Sequence, residues 1–397
     1  MLVIKMTWIA IMIVCGMLGG SWRVGALETS NEAISVHGFI SQGYLVSDSN
    51  DVYGETRHGS FQFNEFGLAF LAQLSDRLHV GIQMLSRDLG DSGNNAVELD
   101  WAFADYRWKD WLGFRGGVLK MPWGVYNETR DIDMLRTSIF LPSSLYDEKN
   151  RDVYATLQGI AFYGSFPLRK FGTLNYQFQY GDKSLPEAHA EIEADGAVTI
   201  DSFNVHNIYL GTLEWETPLE GLRLRETTGK YMWKMRGAWI LGPEDGEHAE
   251  AFTDTGHDTV SILSADYVLE RLSLATEWFQ VWDTTDGDLI EEGADEGGWY
   301  VGAGYRLTDW MEIGAYYSEF YEESDDREGK EYIEHGLPGY LGWQKDLALT
   351  TRFDFGDHCT VKLEGHFMDG AAQFASQSSG LPEQETLLLA VKATFGF

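Results

Sequence analysis

The connections between the strand-like segments of this chain are alternately short and long, and this pattern constrains the fold more than any other feature. Within the segments every second residue is apolar: Leu174, Tyr176, Phe178 and Tyr180 alternate with Thr173, Asn175, Gln177 and Gln179. Because successive side chains of a strand point to opposite faces, each segment has one apolar and one polar face. The sequence therefore predicts amphipathic β-strands.

We predict sixteen strands, with the count uncertain by two. They span residues 34–46, 60–74, 77–86, 96–108, 112–121, 152–166, 171–181, 203–216, 221–241, 257–269, 271–283, 297–307, 309–321, 342–355, 357–369 and 384–397. In segment 221–241, Leu222 and Leu224 occupy one face, whereas Tyr231, Trp233 and Met235 occupy the other. A β-bulge near Thr228-Gly229 is expected to reconcile the two halves.

The connections after even-numbered strands are tight, as in Ser75-Asp76-Arg77, Lys109-Asp110-Trp111 and Gly356-Asp357. Those after odd-numbered strands are long and polar. A soluble β-sandwich shows the same alternation of faces but has no reason to alternate the lengths of its connections. A membrane barrel does, because periplasmic turns lie on one rim and extracellular loops on the other. We therefore predict an all-β fold, a transmembrane antiparallel β-barrel.

The first 26 residues have the layout of a secretory signal peptide. Lys5 precedes an almost wholly apolar run from Met6 to Leu18, and Val24-Gly25-Ala26 suits cleavage after Ala26. The run is short for a helix that spans a membrane permanently. Residues 27–397 are then the barrel. Their single cysteine, Cys359, cannot form an internal disulfide and is expected on the lipid-facing surface.

The end of the chain indicates which membrane this is. Leu387, Leu389, Val391, Ala393, Phe395 and Phe397 share one face, and Lys392 lies on the other. This segment resembles the terminal strand of Gram-negative outer-membrane proteins, which ends in phenylalanine. The resemblance implies location in the cell outer membrane. To close the barrel, this strand must pair with residues 34–46.

The formal net charge of −33, which becomes −35 without Lys5 and Arg23, argues against nucleic-acid binding. Much of the acid lies in the long connections, in residues 187–195, 244–250, 286–296 and 322–326. The net charge predicts a preference for cations in any pore. The loop acids are also candidates for sharing divalent cations with lipopolysaccharide.

A sixteen-stranded barrel is wide enough to leave an aqueous channel. Candidate inner faces are polar or small, as at Gly81 and Gln83 or Thr350 and Arg352. The longest connection, residues 122–152, is richer in apolar residues than the other loops. A loop projecting into water has little use for them. We therefore predict that residues 122–152 fold into the barrel and pack against its inner wall.

The run from Met121 to Asp133, MPWGVYNETRDID, resembles the constriction-loop region of proteobacterial porins, and the barrel plan resembles the same superfamily across residues 34–397. In that superfamily the acids of the third loop face basic residues on the wall. The resemblance implies a pore constriction formed by Glu128, Arg130, Asp131, Asp133 and Arg136 on the loop and by Arg115, Arg352, Lys362 and Lys392 on the wall.

These observations predict a passive diffusion channel for small hydrophilic solutes and ions. The expected partners are outer-membrane lipid and lipopolysaccharide, and the resemblance implies a homotrimer. No cofactor or metal site is indicated. The nearest rival is a channel specific for anions, carboxylates or sugars. A sugar channel needs lumen-facing aromatics, for which Tyr300 and Tyr316 are the candidates.

Two readings of other classes remain. The first is a structural or adhesive barrel in which the same loop acts as a plug. The second is a barrel enzyme, with Ser35 and His37 or His358 and His366 as parts of a site. The sequence contains neither a Gly-x-Ser-x-Gly nor a His-Glu-x-x-His motif, so catalysis is not expected.

Overall fold

The computed structural model describes residues 34–90, 92–185, 198–239, 250–287, 293–374 and 380–397. The expected signal peptide lies outside these residues. Sixteen strands form one closed antiparallel barrel in which each strand pairs with its neighbours in sequence. Strand count and fold class are thus confirmed. None of the helices among the described residues is long and apolar enough to cross a lipid bilayer.

The strands are numbered β1 to β16 in chain order. They are Ile34–Ser47, Phe63–Ser75, Leu78–Leu89, Val97–Lys109, Leu112–Lys120, Thr156–Pro167, Thr173–Leu185, Val198–Glu216, Leu222–Trp239, Glu250–Leu269, Leu272–Asp286, Gly297–Thr308, Met311–Tyr321, Trp343–Phe355, Cys359–Gly370 and Glu385–Gly396. Among the described residues, three short helices lie in long connections: α1 (Ser143–Tyr146), α2 (Arg151–Tyr154) and α3 (Lys330–Glu334).

Pairing of the first strand with the last closes the barrel. Gly43 is opposite Lys392 and Phe39 is opposite Gly396 in the register of β1 and β16. The backbone of Phe397 extends this pairing, because its N–H donates to Gly38 at 3.0 Å and its carbonyl accepts from the Gly38 N–H at 3.0 Å. Closure leaves no strand edge unpaired, as hydrocarbon surroundings require.

The tight connections have two, three or five residues. Between β10 and β11 only Glu270 and Arg271 connect the paired Leu269 and Leu272. Glu270 has φ of 50°, the left-handed conformation that such a short turn demands.

Large apolar side chains are exposed on the outside of the barrel. Among them are Ile82, Phe114, Phe162, Leu213, Leu263, Leu349 and Phe367. Each alternates along its strand with residues that face the interior, so the outer surface suits lipid. Cys359 begins β15 on the same face as Phe367 and is partly exposed.

The predicted strand bounds differ most where strands extend beyond the expected ends. Strands β8 and β10 begin at Val198 and Glu250, several residues earlier than expected. Strand β6 begins later, at Thr156, because α2 occupies the residues before it.

The predicted bulge at Thr228-Gly229 is wrong. Strand β9 pairs with β10 without interruption, from Trp239 opposite Glu250 to Leu222 opposite Tyr267. The irregularities lie on its other neighbour, β8, one of them between His206 and Tyr209. The change of face is therefore real: the apolar residues of β9 face outward near one rim and inward near the other.

Candidate functional site

The connection between β5 and β6, residues 121–155, is called the inner loop below. It contains α1, α2 and 3₁₀ turns at Asn127–Thr129 and Asp133–Leu135. The amide of Asn127, which is fully buried, ties its two ends together by donating to the carbonyls of Met121 at 2.9 Å and Tyr154 at 2.8 Å. A loop with so many buried residues needs a surface that covers it, and the inner wall of the barrel provides one.

Three cations on adjacent strands form the first docking surface for the inner loop. Arg352, Lys362 and Lys392 lie directly opposite one another on β14, β15 and β16 and are called the cation ladder below. Like charges in such positions destabilise a sheet. The inner loop relieves this repulsion because it brings acceptors to all three.

Asp133 is the centre of that contact. Its carboxylate lies 2.9 Å from the Lys362 ammonium and 3.5 Å from that of Lys392, and it accepts a 2.7 Å hydrogen bond from the Thr394 hydroxyl. Lys362 also donates to the carbonyls of Asp133 at 2.7 Å and Ser138 at 2.9 Å. Arg352 donates to the Met134 carbonyl at 2.7 Å.

These charges are sealed from water. The side chains of Lys362, Lys392 and Asp133 are 0%, 1% and 2% exposed. Burial alone would raise the pKa of the Asp133 carboxyl, but the lysines and Arg136 hold that pKa well below its ordinary value. The sequence placed these groups across an opening, whereas the structure brings them into direct contact. They fasten the inner loop to the wall.

Two carboxylates of the wall bind the backbone of the inner loop. Glu364 on β15 accepts from the N–H groups of Ile139 at 2.8 Å and Phe140 at 2.9 Å. Glu277 on β11 accepts from the Val125 N–H at 3.1 Å and the Tyr146 hydroxyl at 2.5 Å. Carboxylates that accept several N–H and O–H bonds are strong anchors.

His366 sits between two acids beside this anchor. Its Nδ1 lies 2.8 Å from Asp346 and its Nε2 lies 3.0 Å from Glu364. Ionised carboxylates only accept hydrogen bonds, so both ring nitrogens donate and the imidazole is charged. This histidine therefore has no free nitrogen to serve as a general base, which argues against the enzymatic role considered for it.

A second charge cluster holds the inner loop near the ends of β3, β4 and β5 that lead into long connections. Arg151 lies 3.2 Å from Asp100 and 2.6 Å from Asp131, and Lys120 contacts the same two acids. We call it the upper cluster, and its members are Arg87, Asp100, Lys120, Arg130, Asp131, Glu148 and Arg151.

Glu148 connects the two arginines of the upper cluster that Asp131 does not contact. Its carboxylate lies 3.1 Å from Arg87 and 3.0 Å from Arg130. Burial acts to raise the pKa of Glu148, but Arg130 and Arg87 outweigh it and lower that pKa to about 2.

The inner wall was expected to be polar or small, but part of it is apolar. Val260 and Ile262 on β10 face the interior and are fully buried, in one apolar cluster with Trp123 and Leu141 of the inner loop. Burying each such side chain contributes about 1.5–3 kcal/mol. The wall is apolar where the loop covers it, and this also explains the inward apolar residues of β9.

Small residues admit the tip of the inner loop. A Cβ added to Gly304 or Gly314 would lie 2.9 Å from side-chain atoms of Thr137, closer than van der Waals contact. The Thr137 hydroxyl also bonds to Glu312 on β13. The two glycines thus allow the loop to reach the wall of β12 and β13.

A cavity of about 580 Å³ remains between the inner loop and the wall formed by β9 to β14. Glu128 lines this cavity and is only partly buried. Burial raises the pKa of its carboxyl, and the nearby Arg225 and Arg115 oppose that rise. Arg115 lies 3.0 Å from Asp105 and packs against the rings of Phe103 and Tyr163.

The nine residues proposed for a constriction thus separate into three groups. Asp133, Arg136, Arg352, Lys362 and Lys392 meet at the cation ladder, where Arg136 also bonds to loop carbonyls. Arg130 and Asp131 belong to the upper cluster. Glu128 and Arg115 form the third group. Both side chains are partly exposed, and neither forms an ion pair between the inner loop and the wall: Arg115 pairs with Asp105, which is also on the wall.

Sequence reasoning missed the anchors Glu277, Glu364, Arg87 and Arg151, and also Arg225, which donates to the Gly124 carbonyl at 2.7 Å. The available signal was a charge at an inward position of a strand, as at Glu277. Tyr300 and Tyr316 line the cavity but are only 1% and 6% exposed, with hydroxyls bonded to Glu277 at 2.6 Å and Asp346 at 3.3 Å, so little of either ring is accessible to a sugar.

No protein-family model matches the chain, and no curated protein is similar to it in sequence. Solved structures are similar in fold. OmpT of Vibrio cholerae is 11% identical with a TM-score of 0.58, over 93% of this chain and 99% of that one. OmpF of Salmonella typhi is 14% identical, with a TM-score of 0.58 over 92% and 97%. An anion-selective porin from Comamonas acidovorans is 13% identical, with a TM-score of 0.56 over 92% and 99%.

Proposed function

We propose that this chain, which has the fold of the sixteen-stranded outer-membrane porins, is a passive diffusion channel for small hydrophilic solutes and ions. The observation that carries the proposal is the inner loop. It is fastened inside a closed barrel by buried ion pairs and apolar contacts, yet a cavity of about 580 Å³ persists beside it. A barrel of this size that is narrowed and not filled is suited to sieving solutes by size and charge.

In this proposal Glu128 and Arg115 lie along the solute path, whereas the cation ladder and the upper cluster set its width by positioning the loop. Transport is proposed in preference to catalysis. The outer membrane is the proposed location, residues 1–26 are the proposed signal peptide, and lipid and lipopolysaccharide are the proposed surroundings. A homotrimer is proposed because one structure of Vibrio cholerae OmpT is described as a trimer form.

Liposome swelling tests the function. Folded, purified protein in liposomes should admit neutral sugars and amino acids at rates that fall steeply with solute size. Heat-unfolded protein at the same ratio of protein to lipid is the control. Swelling no faster than that control, for even the smallest solute, would contradict the proposal and favour a closed, structural barrel.

The closed barrel is kept as a second candidate because the inner loop contacts so much of the wall, from Asp100 on β4 to Lys392 on β16. The two candidates differ in whether weakening the loop contacts is needed before solutes pass. A channel admits solutes with the wild-type loop, whereas a plug admits them only after those contacts are removed.

A further inference from the structure

The cavity beside the inner loop is lined by more arginines than acids, although the chain as a whole is acidic. The chain has a formal net charge of −33. Of the described charged residues that line the cavity, six are arginines and three are acids. The arginines are Arg130, Arg136, Arg223, Arg225, Arg306 and Arg352, and the acids are Glu128, Asp266 and Glu312. Four of these arginines are largely buried in ion pairs with acids outside the lining: Arg130 with Glu148, Arg136 with Asp133, Arg225 with Glu214 and Arg352 with Asp354. Arg223 and Arg306 have the most exposed side chains of the six, at 42% and 37%.

In two ion pairs that line the cavity, the arginine is more exposed than the carboxylate. Arg223 donates through Nε and Nη2 to one oxygen of Asp266, at 2.9 and 2.7 Å, and its side chain is 42% exposed against 7% for Asp266. Arg306 is 37% exposed and lies 3.1 Å from Glu312 and 3.4 Å from Asp354, which are 13% and 15% exposed. Asp266 and Glu312 line the cavity as well, but the guanidinium side chains are several times more exposed than their carboxylate partners and are therefore the groups more accessible to a solute.

Apolar side chains of the inner loop line the same space. Ile132 is 49% exposed and Leu135 is 65% exposed, although both lie in a loop whose other large apolar residues are mostly buried. Opposite them the wall has small residues, Ala275 and Gly302 among them, which leave room. Contact of Ile132 and Leu135 with water is unfavourable. An apolar solute that covers these side chains would gain about 25 cal/mol for each Å² of apolar surface removed from water.

We propose that this cavity binds small organic anions that carry a carboxylate on a compact apolar body. The carboxylate meets the exposed guanidinium of Arg223 or Arg306, which has the planar donor geometry that carboxylates fit. The apolar body packs against Ile132 and Leu135. This inference rests on the proposed channel function and names its solute class. It also reverses the cation preference expected from net charge, because that charge lies largely in loops away from the cavity.

Equilibrium dialysis of the folded protein in detergent tests the inference with three probes of one shape. Benzoate, benzamide and benzamidine are nearly isosteric and carry charges of about −1, 0 and +1 at pH 7. Radiolabelled benzoate should bind, and unlabelled benzamide or benzamidine should compete at least about tenfold less well. Acetate, which lacks the ring, should also compete poorly.

Variants locate the site. R223Q combined with R306Q should weaken benzoate binding at least about tenfold, and R223K with R306K should restore part of it. L135N should weaken benzoate binding but leave competition by acetate unchanged. R57Q is the matched control, because Arg57 is also 42% exposed in an ion pair, with Asp51, but lies outside the cavity. Far-UV circular dichroism confirms that each variant is folded.

Equal competition by the three probes, or equal loss of binding in R57Q, would overturn the inference. The result is separable from the channel function. Benzoate binding without liposome swelling would support the anion site and contradict the channel function. Swelling without a preference for benzoate would support the channel function and contradict the anion site.

Discussion

The cation ladder and the cavity wall use the same chemistry for different ends. Both pair basic side chains with carboxylates, but Lys362 and Asp133 are sealed under the inner loop, whereas Arg223 is 42% exposed beside Asp266. A sealed pair holds structure, because breaking it leaves a charge in a medium that solvates it poorly. An exposed pair costs little to break and remains available to a solute. Burial, not residue type, separates the docking surface from the solute path.

D133N should have the largest effect on this contrast, because it leaves Lys362 buried without a counter-charge, whereas Lys392 keeps its ion pair with Glu65. Loss of one partner of a buried pair costs about 3–5 kcal/mol. We expect the inner loop to detach while the barrel persists, seen as fast hydrogen exchange in residues 121–155 and slow exchange in the strands. D51N is the matched control, since its partner Arg57 is exposed, and should change little.

A compensating variant sharpens the same test. Apolar replacement of the fully buried pair, D133L with K362M, should recover slow exchange in the inner loop, because Lys392 keeps Glu65 as its counter-charge. Failure of this double variant to recover would indicate that the hydrogen bonds of Asp133, and not its charge, hold the loop.

E364Q should come next in size. It weakens the acceptor shared by the Ile139 and Phe140 N–H groups, and hydrogen bonds to a charged partner contribute about 1.5–3 kcal/mol. Those two amides should exchange faster, while the Val125 amide at Glu277 should be unaffected. Equal acceleration at all three would mean that the anchors do not act separately.

Acid should loosen the upper cluster by a smaller amount. The folded pKa of Glu148 is about 2, below its ordinary value of 4.5. Its contribution is therefore complete above pH 4.5 and is lost as the pH falls from 4.5 toward 2. Protease nicking of residues 143–154 should rise in this window in the wild type. E148Q should be nicked at a rate that does not change across the window, and a parallel rise there would assign the effect to another acid.

G314A should have the smallest effect. The added Cβ would lie 2.9 Å from the Thr137 methyl, and overpacking of this kind costs about 1–3 kcal/mol when neighbours cannot move. Because Thr137 is partly exposed at the loop tip, we expect the low end, about 1 kcal/mol. Exchange should quicken near Thr137 only. G356A, at a turn with open space around it, reports the effect of alanine on backbone strain alone.

Local patterns were sufficient to predict the strands. Alternation and turn residues act within a few positions, so sixteen strands and the closure by β16 followed from the sequence. The extensions of β8 and β10 were missed because these strands continue beyond the alternating part. The inward apolar residues Val260 and Ile262 were unexpected because alternation shows two faces but not what covers them.

The site was less predictable, since its pairs join residues far apart in the chain. Lys362, Lys392 and Asp133 were recognised as charges near the loop, but only their burial shows that they hold the loop in place. Glu277 and Glu364 were missed because their partners in the inner loop include backbone N–H groups, which no residue type in a sequence indicates. The exposure of Arg223 could not be predicted either, because it depends on which strand ends the inner loop covers in the folded barrel.

Single-channel recording in planar bilayers tests most directly whether the inner loop narrows an open channel. Wild-type protein should insert in discrete conductance steps. D133N should give larger or noisier steps, because the loop no longer holds its position, and D51N should match the wild type. Absence of steps in the wild type together with steps in D133N would contradict the account and identify the inner loop as a plug.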